Sequence, residues 1–168
     1  MHNKIKDTAF LGLCVSLALG LAYIEVLMPP VFPAVPGIKM GLPNIVLIFL
    51  LYRRGWVSTA LVSLLRILLV ALLFGNVMAL AYSLAGGALS LAGMALLKRW
   101  DKLSTVGVSV TGAVLHNVGQ ILMAMLVLGT AELGYYLIVL AVSGTIAGVL
   151  IGLCGALLIK RIPDKLTR

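Results

Sequence analysis

LIFLLYRRGWVSTALVSLLRILLVALLF, residues 47–74, is two apolar runs joined at Arg53, Arg54 and Gly55. Read as one helix, it would place adjacent arginines inside hydrocarbon. A charge at mid-bilayer costs at least about 2.5–3.5 kcal/mol on insertion scales, so an arginine pair reads as a boundary. One apolar segment therefore ends at Tyr52 and the next begins at Trp56. Arg66, alone within the second run, needs a different explanation.

The rest of the chain has the same texture. Of 168 residues, 62% are hydrophobic and only 11% charged, with mean hydropathy +1.17. Soluble domains are roughly half apolar and about a quarter charged. The chain reads as an all-α integral membrane protein, one transmembrane domain over residues 1–168. Its net charge of +8 is not gathered on one face; the basic residues punctuate apolar runs, which argues against nucleic acid as partner. Cys14 and Cys154 each lie inside an apolar run with no CxxC pair, and read as small buried residues, not as metal ligands or a disulfide.

Six segments follow: 8–28, 42–52, 56–74, 77–97, 105–128 and 135–159. The first is long enough to span, and the PPVFPAVPG that follows is no cleavage site, so it reads as a retained helix. With six spans and the N-terminus inside, eleven of the thirteen basic residues fall on the cytoplasmic side. They are Lys4, Lys6, Arg53, Arg54, Lys98, Arg99, Lys102, Lys160, Arg161, Lys165 and Arg168. Only Lys39 falls outside. That bias is the positive-inside pattern, and merging or dropping a helix scrambles it. Both termini are expected in the cytoplasm, in a multi-pass, bacterial-type cell membrane.

Two segments depart from a plain bundle. The first outer loop, PPVFPAVPGIKMGLPN, is long, proline-rich and partly apolar, and can serve either as a lid or as a connector. The second segment spans only about 16 Å at 1.5 Å per residue, so it cannot cross a ~30 Å core alone. It must tilt, extend into the loop, or be shielded by protein.

Small residues recur at four-residue spacing. Gly144, Gly148, Gly152 and Ala156 form a stripe on the sixth segment, and Ser83, Gly87 and Ser90 a weaker one on the fourth. The first carries two ladders, Gly12–Ser16–Gly20 and Ala18–Ala22. Such stripes let helix backbones approach closely in lipid. They serve either internal packing or, on helix one, docking of a membrane partner.

Polar groups inside the spans point to a site. Arg66 lies midway along the third segment, with Thr59 and Ser63 on its face. On the fifth, Gln120 lies about 40° and Asn117 about 100° around the helix from His116, with Ser109 about 20° away. Val114, Val118, Ile121 and Met125 take the other side. This is a polar arc at the depth of Arg66. Glu25 and Asn44 stand nearer the outer ends of their helices; Glu25 can pair with Lys39 or Arg66. A single intramembrane Asn is commonly a helix–helix hydrogen bond, and Asn117 is the member that reading fits best. Arg66, His116 and Gln120 together point instead to a pocket open to the outside, for a ligand with an anionic or carbonyl-rich part.

The motifs of other classes are absent. The five acids, Asp7, Glu25, Asp101, Glu132 and Asp164, form no cluster able to hold a magnesium diphosphate. No GxxxxGK[ST] occurs, and no Ser, His and Asp arrangement reads as a triad. The chain is not expected to be an enzyme, to bind a metal, or to hold a cofactor of its own.

The run GIKMGLPNIVLIFLLYRRGW, with LLRILL, LFGN, YSLAGGALSLAGMALLK and GAVLHNVGQ, resembles the Gx transporter family, whose members are often labelled heptaprenyl diphosphate synthase component I. The resemblance covers nearly the whole chain. That family is similar to the S components of energy-coupling factor (ECF) transporters. The resemblance implies a six-helix bundle with a substrate site near the outside under outer loops. It implies a small-residue face on helix one meeting a membrane coupling subunit, two cytoplasmic ATPases that use the ATP, and a bundle that topples to release substrate. The substrate would be a small vitamin-like, flavin or quinone/isoprenoid-related compound, with Arg66, His116, Asn117 and Gln120 lining the pocket and Asn44 and Glu25 at its rim. Two other functions stay open: a membrane subunit assisting prenyl diphosphate metabolism, and a stand-alone ion-coupled carrier.

Overall fold

The computed structural model describes residues 2–27, 41–74, 77–100 and 102–163. Six α-helices appear: α1 (His2–Leu27), α2 (Asn44–Arg54), α3 (Trp56–Phe74), α4 (Val77–Arg99), α5 (Thr105–Leu128) and α6 (Tyr136–Arg161). All but α2 are long and apolar enough to cross a membrane. The chain is a multi-pass membrane protein in contact with the bilayer. Helix α1 begins at His2, earlier than the apolar run, because the Lys4–Asp7 turn tolerates helix outside the greasy stretch. Tyr135 belongs to a short 3-10 turn, Ala131–Tyr135, that leads into α6. Residues 29–40 of the first outer loop, Lys39 among them, lie outside the described residues.

Helix α2 solves its length problem by burial. Val46 through Leu51 are all buried, so the helix is apolar on every side and needs protein around it. One side packs with Cys14, Ala18 and Val62 of α1 and α3. The other packs with Met94, Val108 and Ile151 of α4, α5 and α6. The shortest helix is thus the axle of the bundle, while exposed Leu, Ile and Val side chains cover the long helices.

The end of α2 is tied down by cations. Arg53 donates to the carbonyls of Ile159 and Ile162, closing the C-terminus of α6. Lys98 donates to the Leu51 carbonyl and lies over the Tyr52 ring. Arg54 pairs with Asp7 at 2.8 Å and lies over the Phe10 ring. Cations at helix C-termini offset the negative end of the helix dipole. Read in the sequence only as topology markers, these residues also clamp α2 to α1, α4 and α6. Gly55 (φ 84°) then reverses the chain, its N–H donating to Leu50 O. A positive φ there favours glycine and lets α3 start at once.

Small residues set the closest approaches. A Cβ on Gly148 would meet Val110 Cα at 2.6 Å, and one on Gly152 would meet Val106 Cα at 2.7 Å. The α6 stripe is therefore internal, packed against α5. On α1 the two ladders part. Ala18 and Ala22 are buried in the bundle, Ala18 in the core around α2, so this ladder faces inward. Gly12, Ser16 and Gly20 are exposed, and nothing lies within 4 Å of a Cβ built on either glycine.

Candidate functional site

Helices α2 and α3 run antiparallel and extend from Gly55 to the same side, and Asn44 lies as many residues before it as Arg66 lies after it. At similar rise per residue the two reach the same level, roughly 15 Å from the basic end. Both line a partly enclosed cavity of about 160 Å³. Helix α3 contributes Arg66, Ile67, Val70, Ala71 and Phe74, and α1 contributes Ala22, Glu25 and Val26. Ala113, His116, Asn117 and Gln120 come from α5, and Gly144, Ala147 and Ile151 from α6. Ala79 and Ser83 of α4 complete the wall with Gly41, just ahead of α2.

Arg66, His116, Asn117, Gln120, Asn44 and Glu25 are thus brought together in one place. The partners they find there differ. Asn117 Nδ2 donates to Leu140 O at 2.7 Å, a bond from α5 to α6. A Cβ on Gly144 would stand 2.7 Å from that nitrogen, so the glycine makes room for the amide. Asn117 therefore ties helices as well as lining the cavity. Such interhelical bonds are typically worth about 0.6 kcal/mol in membranes. Asn117→Ala is expected to lower stability by that order and to leave the bundle folded; a thermal melt in detergent checks it.

Glu25 reaches across from α1 and accepts a hydrogen bond from the Gly41 N–H. Gly41 has φ 73°, a conformation in which a side chain is strained, and a Cβ there would lie 3.0 Å from Asn44 Nδ2. The backbone can therefore present its N–H to Glu25 because residue 41 is glycine. Glu25 is also close enough for its charge to act on Arg66. The guanidinium is incompletely satisfied all the same: its Nε is buried with no hydrogen-bond partner.

The polar stripe on α3 does not continue to the cavity. Thr59 Oγ1 donates to its own helix at Gly55 O, 2.9 Å away, and Thr59 and Ser63 are buried in packing. Ser109 on α5 is likewise buried, where a Cβ on Gly152 of α6 would come within 2.9 Å of its Cβ. Gly41 and Phe74 were not singled out in the sequence, and Ser83 only as part of the small-residue stripe on α4. Only Gly41 carried a signal, in the turn-forming GLPN. Phe74 pairs with Tyr23, ring centroids 5.1 Å apart, and supplies an aromatic surface beside the polar groups. Among the described residues no three His, Cys, Asp or Glu side chains converge as metal ligands would. The cavity thus sets one cation, one carboxylate, one imidazole and three amides against an apolar wall.

The model of the family described as "Heptaprenyl diphosphate synthase component I" matches residues 14–158. No curated protein matches, and no solved structure does.

Proposed function

We propose that this chain, which belongs to the heptaprenyl diphosphate synthase component I family, is the substrate-binding membrane subunit of an ECF-type transporter. Its cargo is a small vitamin-like, flavin or quinone/isoprenoid-related compound. Both termini are cytoplasmic, placing the basic end inside and opening the cavity outward. The observation that carries the reading is the cavity itself: a half-buried arginine, its Nε buried, beside Glu25, His116, Gln120 and Asn44 in the middle of a lipid-facing bundle. An intramembrane arginine is expensive, and its default explanation is a ligand pathway or site.

A second feature supports a partner. The exposed Gly12–Ser16–Gly20 ladder offers a coupling subunit a backbone-close surface. The chain has no nucleotide-binding loop, so two cytoplasmic ATPases joined through that subunit would supply the energy. The family's description favours a second reading, a non-catalytic membrane component assisting a soluble prenyl diphosphate synthase.

Tagged full-length protein, extracted in mild detergent from its native membrane, separates the readings. Recovery of a membrane coupling subunit with ATPases is the expected result. A soluble prenyl synthase in their place would replace the first reading with the second. Gradient-driven uptake by the purified chain alone in liposomes, indifferent to ATP, would make it a stand-alone carrier.

A further inference from the structure

We infer that the cavity is built for a small organic anion of about one ring, its carboxylate held by the Arg66 guanidinium. The inference rests on the cavity being a ligand site and specifies what that site takes.

Charge comes first. Arg66 Nε is buried and lacks an acceptor, although Glu25 lies near enough to influence it. One Glu25 carboxylate oxygen accepts from the Gly41 N–H, and the Arg66 Nε is left without an acceptor. A cation with a buried, unbonded Nε–H carries a standing penalty, and a second carboxylate offers two acceptors to its planar fork. An amine would bring more donors where acceptors are lacking.

Size comes second. At about 160 Å³ the cavity compares with an engineered cavity of about 150 Å³ that accommodates benzene. It is well short of the roughly 300–1,000 Å³ of sites for drug-sized molecules. Within the proposed cargo classes this selects single-ring acids over intact flavins or prenylated quinones. Val70 and Phe74 face such a ring with apolar surface, while Gln120 and Asn44 offer amides to its heteroatoms.

The test uses the purified full chain in phosphatidylcholine nanodiscs, with benzoate, benzamide and benzylamine as probes of matched size. Equilibrium dialysis should show benzoate binding at least about tenfold tighter than benzamide, with benzylamine weakest, since charge-assisted bonds are about twice as strong as neutral ones. Arg66→Gln should abolish the preference for benzoate and leave benzamide binding in place. Equal binding of benzoate and benzamide, a preference for benzylamine, or no binding of any probe at millimolar concentration overturns the inference. The wild-type series decides even where the variant does not fold. Loss of benzoate binding when phosphatidylglycerol is added to the discs would assign the arginine to a lipid headgroup, and would equally overturn it. Because these measurements need no partner, a benzoate preference survives failure of the transport reading. Recovery of a coupling subunit likewise survives failure of the preference.

Discussion

Gly119→Leu is expected to destroy the bundle, and Gly12→Leu to leave it intact. Both put leucine on a helix in place of glycine, a local gain of somewhat under 1 kcal/mol in helix propensity. Only the surroundings differ. A Cβ on Gly119 would lie 2.7 Å from Ala85 O and 2.8 Å from Gly86 Cα, which are backbone atoms of α4. Backbone cannot rotate aside as a side chain can, so α4 and α5 must separate. Overpacking typically costs about 1–3 kcal/mol and more where the backbone has to move. The damage reaches the cavity, because a Cβ on the facing Gly86 would lie 2.7 Å from His116 O and 2.8 Å from Gln120 Cγ. Loss of a monodisperse peak on size exclusion and a strongly lowered melting temperature are the expected readings. A Gly119→Leu protein that melts like wild type would mean that α4 and α5 do not cross here. Gly12→Leu should melt normally, and in the transporter reading it should fail to recover the coupling subunit.

The same contrast shows what the sequence could reveal. Gly12–Ser16–Gly20 and Gly144–Gly148–Gly152 look alike as strings, yet one is exposed and the other packed on α5. Spacing specifies a face, and only a neighbour specifies its use. The helices themselves were legible because bilayer thickness and the positions of arginine and lysine constrain them tightly. Helix α2 was legible as too short, but an eleven-residue helix that is apolar all round has no periodicity to say what surrounds it. The cavity brings together polar residues that the sequence had singled out, Arg66, Gln120, His116, Glu25 and Asn44. Thr59 instead bonds Gly55 O, which is why short hydroxyl side chains were poor guides to direction. Asn117 proved intermediate, with one hand on Leu140 and a surface on the cavity. The apolar wall at Val70 and Phe74 carried no signal, since such residues cover most of this chain.

Arg66→Met is expected to make the protein more stable and unable to hold its ligand. Methionine matches the length of the arginine stem and fills irregular space without needing hydrogen bonds. The substitution removes a buried Nε that has no partner and a charge that costs at least about 2.5–3.5 kcal/mol to place at mid-bilayer. Against that stands the attraction of Glu25. Glu25 keeps its bond from Gly41 N–H when the arginine is gone, so the loss on that side is limited. Replacing buried ionic groups by apolar ones of similar volume is often neutral or stabilising by about 1–4 kcal/mol. A rise in melting temperature, with benzoate binding lost in the same preparation, is the expected pair of results. A melting temperature that falls with Arg66→Met would make Arg66 a structural tie. Stability traded for binding is the pattern of a residue kept for its ligand and not for the fold.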